Sequence, residues 1–237
     1  DITSMIFTVG LSVAIRMSLR WSATELERRE AVKSRTEAEL KNLRNQLNPH
    51  FLLNTLNNIY ALTAFDTEKA QQAIQELSKL LRYVLYDNQE TFVPLTKEVE
   101  FIQNYIELMR IRVSSAVKIN TNFQIRPDSQ SPVAPLLFIS LIENAFKHGI
   151  SPTEPSFIDI MLTEKDDEIH CVIRNSNYPK NAMDKSGSGI GLEQVRKRLE
   201  LLYAGRYEWH QQISSNQKEY SSILTIKIPD NNKKILP

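Results

Sequence analysis

The sequence predicts an α+β chain, a helical N-terminal part followed by an α/β sandwich of one mixed sheet with helices on one face. Three observations predict it. Apolar residues recur at three- and four-residue spacing from Leu40 to Val113. Beyond Ser115 the pattern changes to alternating, β-rich runs separated by two helical stretches. Three of the six glycines fall within Gly187–Gly191, directly ahead of the helical run Leu192–Leu199. A glycine loop has no Cβ in the way, so its backbone N–H groups can approach an anion, and the helix N-terminus behind it adds further donors.

The elements follow in chain order. Within residues 1–21, the stretch Ile2–Leu19 is fairly apolar but carries Gly10, Arg16 and several hydroxyl side chains, and Arg20 and Trp21 follow. That is short and polar against the roughly 20 apolar residues of a spanning helix. Positive charge and an aromatic at the exit suit the inner face of a membrane, so the stretch reads as the end of a last transmembrane helix. The alternative is an amphipathic helix packed on a dimer mate. The start at Asp1 suggests a fragment of a longer chain. Residues 22–42 are dense in Glu, Arg and Lys without Gly or Pro, as expected of a solvated helical stalk.

Residues 43–92 read as paired helices. Leu40, Leu43 and Leu47 lead a stripe that His50 and Asn54 continue, with a kink expected at Pro49, which lacks an N–H. Thr67 and Glu68 open the next helix, with Ala70, Ala73, Ile74, Leu77, Leu80, Leu81 and Val84 on one face. Two such hairpins make a dimeric four-helix bundle. Residues 93–229 hold the rest. A helix after Pro94 carries Leu95, Val99, Ile102, Ile106, Met109 and Val113. Strands are expected over 117–125, 157–163, 168–175 and 222–228, with 207–213 a weaker one. Helices are expected over 135–149 and 192–204, the latter stopped by Gly205, and 230–237 are a tail.

Composition narrows the class. A net charge of +1 gives no electrostatic reason to expect direct nucleic-acid binding. One cysteine, Cys171, excludes disulfides within the chain and cysteine metal clusters. On the helix before the glycine loop, Asn144 and His148 are four apart and share a face. An amide oxygen there can help hold Mg²⁺, which keeps several waters and shares oxygens with a nucleotide.

The run Glu143-Asn144-Ala145-Phe146-Lys147-His148-Gly149 with Gly187-Ser188-Gly189-Ile190-Gly191-Leu192 resembles the asparagine box and glycine box of the GHKL (Bergerat) ATP-binding fold. That fold is shared by histidine kinases, DNA gyrase and MutL. Upstream, Gln46-Leu47-Asn48-Pro49-His50-Phe51-Leu52-Leu53-Asn54-Thr55-Leu56-Asn57 is similar to the phosphoacceptor box of LytS-type sensor histidine kinases. All three motifs keep that family's order, and the resemblance covers residues 30–229.

The resemblance implies a sensor kinase of a two-component system, in the cytoplasmic portion of a bacterial inner-membrane protein. It implies a homodimer, ATP and Mg²⁺, and autophosphorylation on His50. Transfer to an aspartate in the receiver domain of a response regulator, of the LytTR type, would follow. Asn54 would position water for dephosphorylation, and Glu143 would join His50 and Asn54 as a catalytic group. Asn144, Lys147, His148, Gly187, Gly189, Gly191 and Leu192 would line the nucleotide, with Asn144 reaching Mg²⁺ through ATP and residues 178–186 as a lid.

Two positions depart from the wider family. Phe51 stands where many histidine kinases place an acidic base. Asn175 stands where an aspartate usually accepts the adenine amino group, and a neutral acceptor makes the weaker bond. A pseudokinase scaffold signalling through dimer contacts is therefore the alternative. The hydrolytic glutamate of the gyrase-like ATPases would fall at position 140, which is Ser140.

Overall fold

The computed structural model describes residues 16–17, 21, 25, 28–29, 49–87, 90–178 and 190–228. The chain divides into two compact units, Asp1–Asn57 and Asn58–Pro237. In the first, the described residues between 16 and 29 are helical, and Arg29 Nε meets Glu25 Oε1 at 3.1 Å, one turn apart. Helix α1 (Pro49–Thr63) begins in this unit. The proposed membrane stretch, most of the stalk and the Leu40–Leu47 stripe lie outside the described residues, as does whatever Pro49 does to the chain before it. Among the described residues no helix is long and apolar enough to cross a membrane.

The second unit opens on helix α2 (Thr67–Arg82), where the sequence expects one to start. The Asp66 carboxylate accepts from the Lys69 N–H at 3.0 Å. Glu68 in the first turn and Lys79 and Arg82 in the last oppose the helix dipole at each end. Its buried face is Ala70, Ala73, Leu77 and Leu80, and the helix packs along α3 (Leu95–Arg112). Ile74, placed on that stripe by the sequence, is half exposed. The small alanines admit close approach, and the face is narrower than seven apolar positions suggest. A stripe expected to serve a helical hairpin is here taken up by α3. A five-residue π turn, Tyr83–Asp87, ends α2.

The sheet runs β2 (Val117–Gln124), β4 (Ser156–Lys165), β5 (Glu168–Ser176), β7 (Glu219–Lys227), β6 (Tyr207–Ile213). Only β2 and β4 are parallel, joined through helix α4 (Leu137–His148), so the sheet is mixed as expected. One face is buried and mostly apolar: Ile158, Ile160, Leu162, Ile169, Cys171, Ile173, Leu224 and Ile226 are at most 2% exposed. The opposite face shows Met161 and Ile223 to solvent. Helices α4 and α5 (Ile190–Leu202) pack on one another, and α4 lies on β4 and β5. The weak strand signal over 207–213 belongs to the edge strand β6, mostly exposed and thus lacking a clean alternation. Two-residue strands β1 (Val93–Pro94) and β3 (Pro132–Val133), absent from the sequence reading, pair antiparallel. Gly205 takes φ 70° just past α5, where a left-handed residue ends a helix without a Cβ clash.

Candidate nucleotide-binding site

Helix α4 carries most of the predicted site. Its sequence is apolar on the buried side (Leu137, Phe138, Ile139, Leu141, Ile142, Ala145, Phe146), which fixes the helix on the sheet and leaves Asn144, Lys147 and His148 half-buried at its C-terminal end. That end abuts strand β5. An ideal Cβ on Gly149 would lie 2.5 Å from the Ala145 carbonyl oxygen, 2.8 Å from Asn175 Cβ and 2.9 Å from Asn175 Nδ2. Only a residue without a side chain lets the helix end come this close to Asn175.

Asn175 is fully buried. Its Nδ2 donates to the Ser176 carbonyl at 2.7 Å, while its Oδ1 has no hydrogen-bond partner. Buried acceptors without partners are uncommon, because each forfeits its water without compensation. The chain leaving β5 is tied to the same corner: the Tyr178 N–H donates to the His148 carbonyl at 3.0 Å, and the Tyr178 hydroxyl to the Pro155 carbonyl at 2.8 Å. Asn144, Lys147 and His148 thus lie on the last two turns of α4, whose end at Gly149 closes on Asn175 and its unpartnered oxygen.

The other predicted residues divide. Gly191 is exposed in the first turn of α5, and a Cβ there would meet nothing within 4 Å, so packing does not demand glycine at that position. Leu192 is half-buried beside it. Gly187, Gly189 and the lid segment beyond Tyr178 lie outside the described residues. Glu143 is half-buried, and burial pushes its carboxyl up to about 7. It faces Tyr105 of α3, whose ring meets Phe146 edge-on at 5.9 Å. His50 and Asn54 lie four apart on α1, hence on one helix face. Asn54 is half-buried, and the His50 side chain is outside the described residues.

The basic run after Leu192 has protein partners. The Arg196 guanidinium lies 5.2 Å from the centre of the Trp209 ring, and Lys197 pairs with Glu193 at 2.9 Å. Arg198 turns inward, toward Glu98, Tyr203 and Tyr83.

The histidine kinase family model matches residues 38–117. The sensor protein LytS of Oceanobacillus iheyensis is 29% identical over the whole of this chain. The sensor histidine kinase YpdA of Escherichia coli is 32% identical over 82% of it. This chain belongs to the histidine kinases, among the LytS-type sensor proteins. It spans 42% of the length of that LytS and 35% of YpdA. A histidine kinase domain from Erythrobacter litoralis EL346 superposes with a TM-score of 0.44 at 12% identity, over 80% of this chain and 93% of that domain.

Within this kinase chain, sequence reasoning missed the carboxyl at the other end of α4. Glu98 is fully buried on α3. The one signal for it was an acidic residue on the apolar stripe of Leu95, Ile102 and Met109.

Proposed function

We propose that the chain is the cytoplasmic kinase portion of a bacterial membrane sensor. It would autophosphorylate on His50 with ATP and pass the phosphoryl group to an aspartate of a response regulator. The observation that carries this reading is the orphaned Asn175 Oδ1, buried against the end of the helix that bears Asn144. Oδ1 would accept from the adenine amino group, and Asn144, Lys147 and His148 would face the phosphates with the Gly187–Gly191 loop. Mg²⁺, held through the Asn144 amide oxygen, would neutralise charge on the transferring phosphates.

Little covalent help is required, since phosphoryl transfer depends mostly on in-line positioning and charge stabilisation. A neutral ring nitrogen of His50 attacks the γ-phosphorus. The bond from phosphorus to the β–γ bridging oxygen breaks, and ADP leaves with that electron pair. The ring N–H proton passes to solvent or to a base that Phe51 does not supply. The receiver carboxylate then attacks phosphorus, the P–N bond breaks, and the ring takes a proton from solvent to return as neutral imidazole.

The motif resemblance suggests a homodimer and a LytTR-type regulator, and the apolar stretch ending at Arg20 and Trp21 suggests a membrane anchor before residue 22. In this layout residues 43–92 dimerise and 93–229 bind ATP. Leu53, Leu56 and Tyr60 lie three and four apart on one face of α1 and are 61%, 53% and 80% exposed, an apolar strip suited to a second copy. A scaffold reading draws on the neutral Asn175.

Incubation with γ-labelled ATP and Mg²⁺ tests the choice on the parent, His50→Gln and Gly189→Ala. The kinase reading expects acid-labile, alkali-stable label on the parent alone. Label persisting in His50→Gln removes the phosphoacceptor assignment, and nucleotide binding without label favours the scaffold.

A further inference from the structure

Glu98 stands where four elements meet. Its Oε2 accepts two hydrogen bonds, from the Tyr83 hydroxyl at 2.8 Å and from the Leu136 N–H at 3.0 Å. Tyr83 opens the π turn that ends α2, and its ring stacks on Phe101 of α3 at 4.6 Å. Leu136 immediately precedes α4 and holds φ 59°, a left-handed conformation that a leucine keeps only where its surroundings impose it. The Leu137 N–H also faces the carboxylate, so Glu98 serves the free donors at the N-terminus of α4. From α5, Arg198 faces the same carboxylate. Two residues before Leu136, the Ala134 N–H donates to the Tyr203 hydroxyl at 2.7 Å, so the lead-in to α4 is held from α3 and from just past α5.

We propose that Glu98 is a positioning residue that couples the C-terminal end of α2, through Tyr83, to α4 and α5, the two helices bordering the nucleotide site. The inference rests on the kinase reading and deepens it by naming a route from the helices before the ATP-binding domain to that site.

Three features separate a coupling element from a simple strut. One oxygen carries donors from two different elements, so withdrawing Tyr83 alters the acceptor left for Leu136. The other oxygen, Oε1, is buried without a partner, and a carboxyl placed for stability alone would not be left half-satisfied. Burial raises this carboxyl to about 7 despite the hydrogen bonds from Leu136 and Tyr83 and the charge of Arg198, so its charge changes near neutral pH.

The variants Tyr83→Phe and Glu98→Gln each remove one element of the junction and leave the ring stack or one acceptor oxygen in place, so both should fold. The full chain, these variants and the double variant are titrated with the non-hydrolysable analogue AMP-PNP and Mg²⁺, with hydrogen exchange followed over residues 80–87. Coupling is reciprocal, so nucleotide binding should slow exchange there in the parent. Each single variant should lose that response and bind about fivefold more weakly. The double variant should bind no more weakly than the worse single one. Protection that persists in both single variants, or binding losses that multiply, overturns the coupling and leaves the kinase reading standing. A parent chain that binds no AMP-PNP overturns both.

Discussion

Glu98 and Asn175 stand at opposite ends of α4, and each is a buried side chain with one oxygen left without a partner. At the N-terminal end the helix presents free N–H groups, and a carboxylate from α3 accepts from them. At the C-terminal end the free groups are carbonyls, and the neighbouring side chain is a neutral amide that turns its NH₂ to a carbonyl and its oxygen away. A carboxylate at 175 would sit at the negative pole of α4 and would lose the bond to Ser176. The helix dipole thus gives a reason for asparagine there. The two orphan oxygens differ in what surrounds them. Glu98 is tied to three other elements of the fold, whereas Asn175 lies against the end of α4 at Gly149 with its Oδ1 unpartnered. One end is tied into the fold, and the other is where we propose that the nucleotide binds.

The close approach at the ligand end is the easiest to break. Gly149 has φ −94°, which any residue adopts, so Gly149→Ala tests sterics alone. A Cβ 2.5 Å from a backbone oxygen and 2.8 Å from Asn175 Cβ has no flexible neighbour to displace. We expect a loss of about 3 kcal/mol in urea unfolding, at the upper end of overpacking effects. Gly191→Ala is the matched control. Its Cβ meets nothing, and the change should stay within about 1 kcal/mol. Equal effects at the two positions would mean that α4 does not press on β5 as described.

The connecting end is sharpened by pH. Burial raises Glu98 from an ordinary 4.5 to about 7, and the groups facing it are Tyr83, Arg198 and Tyr203. The folded state therefore holds the proton more tightly than the unfolded chain. Its contribution is fully present below pH 4.5 and is lost as pH rises to about 7. The loss is about 3 kcal/mol at most. Glu143 is raised to about 7 by burial as well and titrates in the same window with the same sign. Unfolding measured from pH 4.5 to 8 should thus show stability falling, and Glu98→Gln should roughly halve that slope. An unchanged slope would place the proton elsewhere. Glu164 acts in the opposite sense. Burial favours its neutral form, but hydrogen bonds from Arg126, Ser131 and Ser129 prevail and hold it at about 2, so its contribution is present above pH 4.5 and is lost as pH falls to about 2.

What the sequence made legible follows from how local each signal is. Strands β4 and β5 alternate because one face is dry, and their positions could be read from Ile158, Ile160 and Leu162 or from Ile169, Cys171 and Ile173 alone. Asn144 and Asn175 were found by motif, yet the approach of Gly149 to Asn175 depends on how α4 lies on the sheet, which no spacing encodes. The Ala70–Leu80 stripe was plain in the sequence, but an apolar stripe does not name its partner, and α3 competes for it with any second helix. The Glu98 junction was invisible because its partners Tyr83, Leu136 and Arg198 are 15, 38 and 100 residues away and none belongs to a periodic pattern.

The smallest effect is the most informative about the ligand. Adenine carries an amino donor at the position where guanine carries a carbonyl acceptor. An orphan acceptor such as Asn175 Oδ1 should therefore attract ATP and repel GTP. Asn175→Ala removes that acceptor together with the bond to Ser176. Loss of one such buried hydrogen bond is worth about 1–2 kcal/mol, or about tenfold in affinity. We expect ATP binding to weaken by about that factor and GTP binding to change little, so that the preference between them narrows. Competition of both nucleotides against one fluorescent adenine nucleotide measures the ratio directly. Should ATP and GTP weaken together, Asn175 acts only as a prop for the end of α4, and the two ends of that helix differ less than the contrast with Glu98 requires.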